Sequence, residues 1–93
     1  MIRSFGDRRT ELLWERKKSK ELDPRILATA LRKLTQLDAA VSLESLRVPP
    51  GNRLEALSVG RKGQHSIRVN DQWRICFEWR DGGADNVEVV DYH

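Results

Sequence analysis

A single cysteine, Cys76, excludes an internal disulfide, and nothing else in the sequence calls for an oxidising compartment. No apolar run is long enough for the core of a secretion signal or for a membrane span, so the expected location is the cytoplasm, with no membrane partner. Two histidines, His65 and His93, make no recognised ligand spacing with that cysteine, and no metal site is expected. Gly60 to Gly83 show neither a GxGxxG nor a Walker pattern, so there is no phosphate-cradling loop and no cofactor is expected. Repeats, low-complexity segments and internal boundaries are missing as well. The 93 residues, 1–93, therefore read as one small domain with a single core.

What the chain does have is charge, unevenly spread. The net charge is +3 and the isoelectric point is near 9.4. Residues 51–74 carry Arg53, Arg61, Lys62, Arg68 and Arg74 against Glu55 and Asp71, whereas residues 75–93 carry Arg80 against five acids. A basic middle beside an acidic tail fits binding of a polyanion at one localised site, although most charge runs are solvated faces.

The clearest pattern lies between Gln64 and Trp79. His65, Ile67 and Val69 alternate with Ser66 and Arg68, and Trp73, Ile75, Phe77 and Trp79 alternate with Arg74, Cys76 and Glu78, which is the period of two half-buried strands. A two-residue loop would set Ile67 against Arg74. A three-residue loop, Asn70–Gln72, pairs Val69 with Trp73 and Ile67 with Ile75, and is the expected one. Arg68 then faces Arg74 directly. Like charges so placed repel, which leaves two readings open: an anion belongs between them, or both point into water over covered apolar stems. Trp73, Phe77 and Trp79 read as core, His65 as structural and Cys76 as a small filler.

The rest of the chain supplies an α+β frame. Residues 1–5 read as a strand with Ile2 and Phe5 inward. Asp7 caps a helix over 8–18 with Leu12, Leu13 and Trp14 as its stripe, and the RKKSK run at 16–20 suits the negative end of its dipole. Asp23-Pro24 starts a second helix, whose stripe is Leu27, Ala30, Leu31, Leu34, Leu37 and Val41 and which ends between Ala40 and Leu46. Residues 49–52 turn, Leu54, Ala56 and Leu57 make a second strand, and Gly82-Gly83 lead into a last strand, Asn86–Tyr92, with Val87 and Val89 inward. The expected architecture is two N-terminal helices packed on one face of a mainly antiparallel sheet.

The run HSIRVNDQWRICFEW and the ending VEVVDYH, with PPGNRLEALSVGRKGQ and the opening MIRSF, closely resemble the HigB branch of the RelE toxin superfamily. The resemblance implies the same small fold, in the order strand, two helices, strand meander. It implies a metal-independent endoribonuclease that cuts mRNA during translation on the ribosome, and a cognate HigA-like helix-turn-helix antitoxin, with operator DNA reached only through that antitoxin. It carries active-site roles onto Arg74, Asp91, Tyr92 and His93: Arg74 on the scissile phosphate, His93 in proton transfer, Tyr92 in base stacking or proton transfer, and Asp91 in orienting the site. The residues themselves, not the resemblance, add Arg53, Arg61, Lys62 and Arg68 as expected RNA contacts. On residue pattern alone Tyr92 also reads as an aromatic closing the core edge, and a histidine at 93 as frayed. The sequence departs from the family where some members carry a histidine and a lysine on the second strand, since Glu55 and Ser58 stand there. A glutamate still serves as a base, but the local cation is lost, which points to a moderate or weak nuclease. The alternatives are a non-catalytic binder that blocks translation and, against the DYH ending, a gyrase-poisoning relative.

Overall fold

The computed structural model describes residues 1–18, 20–58 and 60–91. Asp7 opens helix α1, Arg8–Trp14, by accepting the Thr10 amide at 2.9 Å. The helix stops short of the expected Lys18 because Arg16 turns left-handed, with φ of 58°. Its guanidinium lies over the Trp14 ring and donates to the Trp14 carbonyl. The basic run therefore lies beyond the helix rather than on its last turn, and the dipole argument for it is corrected.

Asp23 accepts the Arg25 amide, and a single 3-10 turn, Pro24–Ile26, feeds helix α2, Leu27–Ala39. Ala30, Leu34 and Leu37 are wholly buried, with Leu27 and Leu31 packed beside them. Val41 is not part of that stripe: Ala40 is extended, the helix has ended, and Val41 is 85% exposed.

Four strands follow, β1 (Glu55–Ala56), β2 (His65–Arg68), β3 (Trp73–Arg80) and β4 (Gly83–Asp91), antiparallel in the order β1-β2-β3-β4. The central hairpin has the expected register, Ile67 opposite Ile75 and Arg68 opposite Arg74. Asn70 closes its three-residue loop by accepting the amides of Gln72 and Trp73. β4 begins at Gly83, earlier than Asn86, because Asp81 and Gly82 both take positive φ and form a tight turn that fits the twist of the strands. Between Cys76 and Glu78 the register slips, as β4 holds an extra residue there and Asn86 takes a left-handed bulge. Residues 1–5 make only two isolated parallel bridges to β4, Ile2–Ala84 and Phe5–Val87, in place of a first strand.

The helices cover one face of this sheet, with Leu13, Leu34, Leu37, Ile67, Ile75, Phe77, Val87 and Val89 forming the core. Trp73 and Phe77 are buried there, Trp79 packs against them, and His65 stacks on Phe77, as expected. Thr10 ties α1 to β4 by accepting the Val89 amide. The other face is not wholly polar, since Leu57, Cys76 and Val90 form a small apolar cluster on it. Leu57, rather than Ala56, is the buried residue of the β1 region. Among the described residues no helix is long and apolar enough to cross a membrane.

Candidate active site

Strand alternation decides what the helix-free face displays. Ser66 and Arg68 on β2 meet Cys76 and Arg74 on β3, and β4 extends the two rows with Glu88 and Val90, while β1 adds Glu55 opposite Ser66. Cys76 lies at the middle, fully buried. Burial pushes its thiol pKa up, with Glu88 and Glu55 acting in the same direction and Arg61 and Arg74 against it. It is a filler surrounded by two cations and two carboxylates, not a nucleophile.

Arg74 is the best-held side chain of this face. Nε donates to Ser66 Oγ at 2.7 Å, Nη2 donates to the Arg53 carbonyl at 2.7 Å, and Glu55 Oε1 lies 3.7 Å from Nη2. Its side chain is only 12% exposed. The Nε edge of the guanidinium is thus occupied, and no acceptor among the described residues takes a hydrogen from Nη1. Arg53 reaches its position by an unusual backbone: it follows the turn Pro50–Asn52 in the left-handed region, with φ of 46°. That geometry turns its carbonyl toward Arg74.

Arg68, which faces Arg74 across the strands, turns instead to Asp71 in the hairpin loop and forms an ion pair with it. Neither arginine points freely into water. Each arginine has its own acceptors inside the protein, so no shared anion is needed to relieve their repulsion. Arg61 donates to Gln64 Oε1 at 3.0 Å and lies 3.5 Å from Glu88. Lys62 is exposed in the turn between β1 and β2. Asp91, paired with Trp73 in register, follows the alternation of Val89 onto the helix side of the sheet. It accepts Gln72 Nε2 at 2.8 Å at the strand end. Tyr92 and His93 lie outside the described residues. The face thus gathers Arg61, Arg68 and Arg74, with Arg53 contributing its carbonyl, and Asp91 lies at the strand end.

Ser66 and Glu88 were not singled out by sequence reasoning. The first was within reach: once Arg68 is set opposite Arg74, Ser66 is its diagonal neighbour, close enough for a long side chain to bond. Glu55, noted as a departure from the family, turns out to be a partner of Arg74. Ser58, the other departure, is exposed. Asn52 and Lys33, which are buried and bonded to one another, carried no sequence signal at all.

Comparison with known proteins gives consistent results. The family described as the RelE-like toxin of type II toxin-antitoxin system HigB matches residues 3–93. Toxin HigB-1 of Vibrio cholerae is 47% identical over 88 residues, covering 94% of this chain and 93% of that protein. Endoribonuclease HigB of Proteus vulgaris is 29% identical over 93 residues, covering the whole of both. Among solved structures, the YoeB-YefM complex of Staphylococcus aureus superposes with a TM-score of 0.57 at 14% identity, covering 100% of this chain and 98% of that one. A YafQ mutant from E. coli also gives a TM-score of 0.57 at 14% identity, over 98% and 93% of the two chains. At that identity the two structures speak for the fold alone.

Proposed function

Since the chain belongs to the HigB-like toxin family of type II toxin–antitoxin systems, we propose that it is an endoribonuclease that cuts mRNA as it is translated on the ribosome and so arrests growth. RNA carries its own nucleophile. The 2′-hydroxyl attacks the adjacent phosphate, a base takes its proton, an acid protonates the leaving 5′-oxygen, and a fixed cation stabilises the charge gathering on the phosphate. No metal ion is required for these roles.

Arg74 supplies the fixed cation. The observation that carries the proposal is its anchoring: Ser66 and the Arg53 carbonyl hold one edge of the guanidinium, and among the described residues nothing takes Nη1, the group assigned here to a phosphate oxygen. Arginine suits this because its planar donors grip phosphate and it stays charged. Glu55, half exposed and beside Arg74, is positioned to take the 2′-hydroxyl proton. His93 in proton transfer, Tyr92 in stacking or proton transfer, and Asp91 in orienting them are roles drawn from the family resemblance. Arg53, Arg61, Lys62 and Arg68 line the RNA path. The partners are the ribosome with its mRNA and a HigA-like helix-turn-helix antitoxin, operator DNA being reached through the antitoxin, and the setting is the cytoplasm.

The test uses purified protein with mRNA on programmed ribosomes and with the same mRNA free. Cleavage on ribosomes that leaves 5′-hydroxyl ends and falls about 10²–10³-fold in Arg74→Ala is the expected result. Equal cleavage by the variant would remove Arg74 from the chemistry. One observation favours a second reading, in which the face binds RNA and blocks translation without cutting. Glu55 lies 3.7 Å from Arg74 and offsets its charge. Inhibition of translation with the mRNA left intact would select that reading.

A further inference from the structure

Lys33 and Asn52 are buried polar side chains that the open face does not by itself explain. Asn52 is fully buried and uses its whole amide. Nδ2 donates to the carbonyls of Leu46 at 3.1 Å and Val48 at 3.5 Å, and Oδ1 accepts from Lys33 Nζ. Lys33 stands on α2, nearly buried, and among the described residues its ammonium meets this neutral amide and no carboxylate. Burial pulls its pKa below the ordinary value, and the charges of Arg32 and Arg68 add to the effect. A buried cation with like charges for neighbours is costly. A methionine would fill the same place without that cost, so the ammonium needs a reason other than stability.

What the pair holds is the loop over residues 46–53. Asn52, near the end of the loop, bonds the carbonyls of Leu46 and Val48 at its start, its own amide donates to the Pro49 carbonyl, and the Arg53 amide donates to the Pro50 carbonyl. Arg53 leaves this knot left-handed, and its carbonyl is the oxygen that accepts from Arg74 Nη2. A continuous chain of contacts therefore runs from α2 on the covered side to the guanidinium on the open side. We infer that Lys33 and Asn52 are positioning residues for Arg74: their buried contact clamps the 46–53 loop to α2 and, through the Arg53 carbonyl, fixes the direction of the guanidinium. The catalytic consequence rests on Arg74 holding the scissile phosphate, as proposed above, whereas the mechanical link does not.

Two variants of the full chain, Asn52→Ala and Lys33→Met, are read in two ways. By NMR, the Arg74 Nε–Hε resonance, identified by its absence in Arg74→Lys, is protected from exchange in the wild type. It loses that protection in both variants, while the amides of Ile75 and Phe77 keep theirs. On programmed ribosomes, kcat falls roughly a hundredfold with KM little changed, the pattern of a misaimed group rather than a lost binding contact. Unchanged Arg74 protection in both variants overturns the link, whatever happens to cleavage. If the wild type cuts no RNA, the functional reading fails while the NMR result still decides the link. Should Asn52→Ala not fold, Lys33→Met decides alone, because it keeps both Asn52 Nδ2 bonds and the core volume.

Discussion

In the role proposed for Arg74, the acceptors that hold the guanidinium also decide which of its hydrogens are left for a phosphate. A lysine there keeps the charge but has neither the Nε donor nor the planar fork. Arg74→Lys is therefore expected to lose nearly as much activity as Arg74→Ala in single-turnover cleavage, and near-normal rates would show that charge alone suffices. Facing arginines on their own predict that removing Arg74 relieves repulsion and leaves the melting temperature similar or higher. The acceptors predict the reverse. Ser66 Oγ and the Arg53 carbonyl lose their donor, and Arg74→Ala costs about 1–3 kcal/mol by urea unfolding. Lys33 gives a test with a sign. Its pKa is lowered in the folded state, so between that value and its ordinary 10.5 the unfolded chain binds more protons. The cost of the buried charge is fully present below the folded pKa and disappears as pH rises through this window. The stability of the wild type relative to Lys33→Met is thus expected to increase toward pH 10.5 and to stay flat if the ammonium is freely solvated.

Among the elements, the short loop before β1 is the one on which the site depends. Arg53 takes a left-handed backbone that costs a non-glycine residue about 1 kcal/mol. Arg53→Gly keeps the carbonyl that holds Arg74 and relieves the strain, whereas Arg53→Ala keeps the strain. The glycine variant is expected to be the more stable of the two by thermal unfolding, with the same loss of RNA affinity. A greater loss of cleavage in the glycine variant would mean that loop stiffness also aims Arg74. The hairpin and α2 were legible in the sequence because periodicity fixes them: Ile67 can face Ile75 only with a three-residue loop, and Leu27 to Leu37 recur every helical turn. The end of α1 was not, since Arg16 turns left-handed without the glycine or asparagine that would announce it. The start of β4 was announced by Asp81-Gly82, a two-residue hairpin signal, and was missed by reading Gly82-Gly83 as the turn, whereas the bulge at Asn86 depends on the register between β3 and β4, which spacing in β4 alone does not show. For the site, strand pairing exposed Arg68 and Arg74, but the Arg53 carbonyl is a backbone atom delivered by a loop, and Lys33 sits in what periodicity reads as an ordinary helix. Neither leaves a mark in residue spacing.

Over the whole molecule, the division of labour is between a face that folds the chain and a face left open. α1 and α2 bury the helix side. Leu34→Ala, at a fully buried position, is expected to cost about 2–5 kcal/mol in urea unfolding, and a cost below 1 kcal/mol would mean the helix is not the main cover of the sheet. On the other face, among the described residues, Leu57, Cys76 and Val90 form a small apolar cluster set beside Ser66, arginines and carboxylates. Membership of a type II toxin–antitoxin family supports an antitoxin partner for this chain. The most direct test of the account is to map new mRNA 5′ ends in bacteria after tightly controlled induction of the wild type and of Arg74→Ala. New ends inside translated reading frames, absent from the variant and abolished when translation initiation is blocked, are the predicted result. Growth arrest without new ends, or the same ends from the variant, would contradict it.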